Sequence, residues 1–142
     1  MDILKETGPE GLQVSAFVAQ ELLASLAKSS VQAENSDLVI SARDGTGNII
    51  GGITASTSYG WLLVKTLWVR EENRGGGIGR GLVMAAHDAG RKAGCHAAWL
   101  DTSSAEARDF YTGLEYEVFG ELANAPGQFP EVHKRWFMKR DL

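Results

Sequence analysis

Seven residues in the middle of the chain, Arg74-Gly75-Gly76-Gly77-Ile78-Gly79-Arg80, have the composition of a site for an anion. Glycines remove the side chains that would hold a ligand away from the main chain, and the first turn of a helix offers N–H groups with no partner inside the helix. An amphipathic helix is expected to start here. Its dipole would contribute about 0.3–2 kcal/mol to a bound phosphate, against roughly 1.5–3 kcal/mol for each charge-assisted hydrogen bond, so the amides should dominate. Spacing narrows the choice of ligand. No window satisfies G-x-G-x-x-G, because Arg80, Leu82 and Met84 stand where the last glycine is needed. No Gly-Lys-Ser/Thr closes the run either, so a nucleotide-phosphate loop of the Walker type is excluded.

Other chemistry-bearing residues are sparse. His87, Cys95 and His96 do not make a metal site, since Cys95 and His96 are adjacent and point to opposite faces of a strand, while His87 is placed opposite Ile78 on its helix. No metal is expected. The single cysteine excludes a disulfide framework and suits a reducing, cytoplasmic setting. Trp61, Trp68, Trp99 and Trp136 fall in strand-like segments, where core packing explains them better than base stacking. A net charge of −4 argues against nucleic-acid binding, and the basic cluster Lys134, Arg135, Lys139 and Arg140 reads as a solvated strand face. No stretch approaches the roughly 20 apolar residues that cross a bilayer, and the start lacks the pattern of a secretory signal. No membrane association is expected.

The elements that must position the loop follow from periodicity. Leu12, Ala16, Ala19, Leu23 and Leu26 have helical spacing between about Gly11 and Lys28 and predict a helix covering a core. Two β-rich runs flank Asp44-Gly45-Thr46-Gly47-Asn48, a hairpin signal, and Tyr59-Gly60 marks another turn. Trp61 to Val69, apolar on both alternating faces except at Lys65 and Thr66, reads as a central strand covered on both sides. Then come the loop, a helix to Lys92, a buried strand Cys95–Leu100, and a helix started by Ser103 and Glu106 at capping-box spacing. Two last strands, Tyr116–Leu122 and Val132–Met138, close the chain. This order predicts one α/β domain over residues 1–142, a mixed central sheet flanked by helices, with strands 62–69 and 95–100 as parallel neighbours. At 44% apolar residues the chain can build that core without cross-links.

Arg74-x-x-Gly77-x-Gly79, following Leu67-Trp68-Val69, resembles the acetyl-coenzyme A signature R/Q-x-x-G-x-G/A of the GNAT superfamily of N-acetyltransferases. Small bacterial members are similar in having an LWV strand before it. The likeness extends through Leu100-Asp101-Thr102, Ala107-Arg108-Asp109-Phe110-Tyr111, Tyr116-Glu117-Val118-Phe119-Gly120 and His133-Lys134-Arg135-Trp136-Phe137, about Ile49 to Leu142 in all. The chain departs from the family at Glu115, where Gly is common, and at Ser104, where Asn is common. The first touches a turn and the second a polar contact to the pantetheine arm.

The resemblance implies the GNAT fold, with its parallel central strands splayed, and acetyl-CoA as cosubstrate. It places the pyrophosphate on the amides of Gly75, Gly76, Gly77, Ile78, Gly79 and Arg80. The pantetheine arm then lies along the backbone of Leu67, Trp68 and Val69, with Ser104 as a further contact, in the manner of an added strand. A backbone N–H near Leu67 to Val69 would hold the thioester oxygen. An acceptor amine of pKa about 10.4 needs about 4.6 kcal/mol to lose its proton at neutral pH, which a water relay to a carboxylate can share. Asp101 is favoured as base over Glu71, Glu72 and His133. Tyr111 matches the tyrosine that protonates the leaving thiolate in many relatives, at a cost of roughly 2 kcal/mol for an ordinary phenol. The acceptor is a small-molecule or peptide amine, and a homodimer is among the assemblies implied. A non-catalytic coenzyme A sensor built on the same fold is the alternative.

Overall fold

A β-region Thr7 followed by Gly8 and Pro9 sets the entry to a first helix, α1, Gly8–Ala27, with Glu10 favourably placed in its first turn. The computed structural model describes all residues, Met1–Leu142, in two units, Met1–Ala33 and Glu34–Leu142. Helix α1 belongs to the first. It begins one turn earlier than its apolar spacing predicts, and none of its residues is buried.

The second unit is a six-stranded mixed sheet with two helices. Strands β1 (Ser36–Arg43), β2 (Ile49–Ser58) and β3 (Trp61–Val69) form an antiparallel meander. Helix α2 (Ile78–Lys92) leads to β4 (Ala97–Thr102), and helix α3 (Ala105–Thr112) leads to the closing pair β5 (Glu117–Ala123) and β6 (Lys134–Asp141). The sheet order is β1-β2-β3-β4-β6-β5, with β3 and β4 the parallel pair, as their connection through a helix requires. Tight turns come from chemistry visible in the sequence. Asp44 Oδ1 accepts hydrogen bonds from the amides of Thr46 and Asn48, and Tyr59 and Gly60 both take positive φ, the pattern that returns a strand with the right twist.

The core lies on one face of the sheet. Ile53, Leu62, Val64, Leu100 and Met138 meet Leu82, Val83 and Ala86 of α2 there. On the opposite face Trp61, Leu63 and Trp99 are only half-buried and Trp68 is 50% exposed, so β3 is covered on one side rather than both. Of the four tryptophans only Trp136 is a core residue. Helix α2 buries a wider arc than its apolar residues mark out: His87, opposite Ile78 on the helix, is fully buried, its Nε2 2.6 Å from the Tyr116 hydroxyl. The C-terminal basic residues do not form the single solvated face expected, because β6 lies between β4 and β5 and adjacent residues point to opposite sides: Lys134, near Glu121, and Arg135 are exposed, whereas the Arg140 side chain is only 16% exposed and donates to the Leu114 carbonyl.

Two details position the functional region. Strand β3 carries one extra residue, Lys65, against β2, since Val64 faces Ala55 while Thr66 faces Thr54. Such a bulge bends and twists the strand. Beyond it the parallel pairing with β4 is over: the last partners are Leu63 and Trp99, and the two strands part. The second detail is Gly51. A Cβ there would lie 3.1 Å from the Trp68 carbonyl oxygen and 3.2 Å from side-chain atoms of Ile78 and Leu82, so its bareness lets the start of α2 sit directly on β2 and β3.

Candidate functional site

Helix α2 begins without a side-chain cap. Gly77 is its N-cap residue with φ 87° and ψ 4°, a left-handed conformation, and Gly75 is likewise at φ 80°. The first bond of the helix runs from the Gly81 N–H to the Gly77 carbonyl, and the N–H groups of Gly75 through Arg80 find no acceptor in the protein. Gly79 differs from Gly77. It is helical, and a Cβ on it would rest 3.6 Å from Phe110 Cζ and 3.7 Å from Val69 Cγ2, ordinary contact distances.

These amides open on a cleft of about 540 Å³. The end of β3 supplies Leu67, Trp68 and Val69 to its walls, and the loop supplies Arg74, Gly75, Gly77, Ile78, Gly79 and Arg80. Gly76 is not among the walls. Ser104 lines the far side, where it caps α3: its Oγ accepts from the Ala107 N–H at 3.1 Å, while its own N–H donates to Thr102 Oγ1. The cap is therefore Ser104, not Ser103, because Ser103 Oγ is 3.0 Å from His133 Nε2 instead. The hydroxyl of Ser104 keeps its own proton to donate. Arg74 folds back so that its Nε donates to the Val69 carbonyl at 2.9 Å, tying the loop to the end of β3 and occupying that carbonyl.

A smaller chamber of about 190 Å³ lies where β3 and β4 part. Val64, Lys65, Thr66 and Leu67 form one side, Leu100, Asp101 and Thr102 the other, with Tyr111 behind. Tyr111 is buried and held by rings, edge-on to Phe110 at 5.0 Å and to Tyr116 at 5.3 Å. Burial pushes its phenol up to about 12, so it carries its proton throughout the neutral range. Asp101 is the only carboxylate on the chamber wall. Glu71 and Glu72 sit in an exposed 3₁₀ turn, Glu71–Asn73, outside both spaces. His133, half-buried and bonded to Ser103, borders neither.

Sequence reasoning missed several wall residues. Asn73 and Glu106 border the cleft, and Ala107 and Phe110 border both spaces. For Phe110 the spacing from Ala107, three apart on one helix face, was the signal available. Gly51, which seats α2, was marked only by an unexplained Gly-Gly pair inside a strand. Glu115, where the family commonly has Gly, does take the turn conformation, at φ 68°.

Comparison with known proteins agrees with this architecture. A model of the acetyltransferase (GNAT) family matches residues 2–116. An acetyltransferase of Agrobacterium fabrum is 34% identical over 91 residues, covering 64% of this chain and 66% of the relative, just under two thirds of its length. A solved chain from Agrobacterium tumefaciens, proposed to be an acetyltransferase, superposes with a TM-score of 0.85 over 100% of both chains at 24% identity. An aminoglycoside 6'-N-acetyltransferase complexed with coenzyme A superposes with a TM-score of 0.65, covering 85% of this chain and 78% of that one at 19% identity. No helix is long and apolar enough to cross a membrane. With a glycine-bared helix start opening onto parted parallel strands and a family match across four fifths of its length, this chain belongs to the GNAT acetyltransferase family.

Proposed function

We propose that residues 1–142 act as one cytoplasmic N-acetyltransferase domain that moves the acetyl group of acetyl-CoA directly to a primary amine. The observation that carries this reading is the continuity of the site: unbonded amides at the start of α2 face a cleft that ends, between the parted strands, at a chamber backed by a protonated tyrosine. The complex of the aminoglycoside 6'-N-acetyltransferase with coenzyme A supports the same ligand here. The amides from Gly75 to Arg80 hold the pyrophosphate, and the guanidinium groups of Arg74 and Arg80 border it. The backbone of Leu67, Trp68 and Val69 aligns the arm, with Ser104 donating its hydroxyl proton.

In the chamber the amine nitrogen bonds to the thioester carbon as the carbon–sulfur bond breaks. Asp101 takes the amine proton through water, and Tyr111 gives its proton to the departing thiolate. Relative to an ordinary thiol near 8.5, a phenol at about 12 donates uphill by about 5 kcal/mol. The figure is larger than for an exposed tyrosine, and the same dry surroundings raise the thiol and narrow it. Donation therefore comes late, after sulfur carries most of the charge. The acceptor is a small-molecule or peptide amine, and assembly as a homodimer is part of the reading.

Titrating coenzyme A by calorimetry and following thiol release from acetyl-CoA with a panel of amines tests the proposal. Binding with release is expected. Tyr111→Phe should keep coenzyme A affinity and lose about 10²-fold or more in turnover. Unchanged turnover removes Tyr111 from the reaction, binding without release makes the chain a coenzyme A-binding module, and no heat with coenzyme A removes the site altogether.

A further inference from the structure

The cleft and the chamber share three wall residues, Leu67 from β3 and Ala107 and Phe110 from α3. We propose that these three form a gate that sizes the acyl group, so that the chain accepts short acyl thioesters of coenzyme A and rejects longer ones. This rests on the acetyl-CoA reading above and deepens it. Phe110 is braced on one side, where its ring meets Tyr111 edge-on at 5.0 Å, so an acyl chain that pushed it that way would disturb Tyr111.

The chamber beyond sets the length. It is about 190 Å³ against about 540 Å³ for the cleft, and the acetyl group shares it with the end of the amine. Each further methylene takes that space and meets polar wall residues, Lys65, Thr66, Asp101 and Thr102, that gain nothing from it.

Calorimetry with coenzyme A, acetyl-CoA and hexanoyl-CoA reads the gate without an acceptor. The unaltered chain should bind acetyl-CoA within about 3-fold of coenzyme A and hexanoyl-CoA at least ~10-fold more weakly. Phe110→Leu should shrink the hexanoyl penalty several-fold, and Ala107→Val, which narrows the gate, should weaken acetyl-CoA at least ~5-fold relative to coenzyme A. The ratios are taken within each variant, so a general loss of affinity cancels, and Ala107→Val stands alone if Phe110→Leu does not fold. Equal binding of hexanoyl-CoA and acetyl-CoA by the unaltered chain overturns the gate while leaving the coenzyme site intact, as do ratios that neither variant moves. Failure of coenzyme A itself to bind overturns both.

Discussion

The two glycines of the Arg74-x-x-Gly77-x-Gly79 signature should respond in opposite ways to the same substitution. Gly77 sits at φ 87° with nothing within 4 Å of its Cβ position, so Gly77→Ala meets no clash and its whole cost is torsional. An L-residue in the left-handed region costs about 1–2 kcal/mol, offset by about 0.4–1 kcal/mol from a less flexible unfolded chain, for a net loss of roughly 0–1.6 kcal/mol. The loop can escape that cost only by turning φ negative, which re-aims the amides that follow. Each charge-assisted bond then lost is worth roughly 1.5–3 kcal/mol, or about 10- to 150-fold in affinity. Gly79→Ala puts its methyl at 3.6–3.7 Å from Phe110 and Val69, ordinary contacts, in a helix where Ala is favoured over Gly by up to about 1 kcal/mol. Calorimetric titration of coenzyme A beside thermal melts should show Gly77→Ala binding at least ~10-fold more weakly. Gly79→Ala should bind within about 3-fold and melt no lower than the parent. Equal affinity in a folded Gly77→Ala variant, or an equal loss in both, would refute the amide cradle. The result would also account for a family signature that allows Ala at the second position and not the first.

Other expectations are open to direct measurement. Burial, with the positive charges of Arg140 and Arg91, pushes the His87 imidazole down to about 4 from an unfolded value near 6.5. Its contribution to stability is therefore complete above about pH 6.5 and is lost as pH falls toward 4, about 2 kcal/mol of it by pH 5. Denaturant midpoints should fall accordingly from pH 7 to pH 5, and His87→Gln should flatten that slope; an unaltered slope would mean that other groups set it. Gly51→Ala forces a methyl to 3.1–3.2 Å from Trp68, Ile78 and Leu82 and should cost about 1–3 kcal/mol in stability with weaker coenzyme A binding. An unchanged melting temperature would show that α2 does not depend on that close approach. At Glu115, φ 68° with an exposed side chain, Glu115→Gly should stay within about 0.5 kcal/mol, while the β-branched Glu115→Val should lose about 1–2 kcal/mol or more. Equal melts for the two variants would contradict the assigned turn.

Much of the site was readable before any coordinates. Ten of the eleven residues expected to hold the coenzyme line one cleft, with Gly76 outside it. Their agreement has a local cause: glycine conformation, strand alternation and helix starts are set by neighbours in the chain. Tyr111 and Asp101 also line one chamber. Where reading went astray, a distant partner decided the outcome. Ser103 and Ser104 are equally good caps on paper, and His133, thirty residues away, draws one of them off. His87 lies opposite Ile78 on its helix, yet Tyr116 supplies the hydroxyl that lets it be buried. The tryptophans were assigned to core packing by their place on strands, and three of them lie on the less covered face of the sheet.

The sequence by itself determined a glycine-rich helix start, the strand before it, the α/β order of elements and the family. These depend on interactions within a few residues, which composition and spacing record. Only the tertiary structure decided where β3 and β4 part, how closely α2 approaches over Gly51, and that Leu67, Ala107 and Phe110 come to border both spaces. Those depend on side chains from separate elements packing at fixed distances, and no one-dimensional pattern along the chain carries such distances.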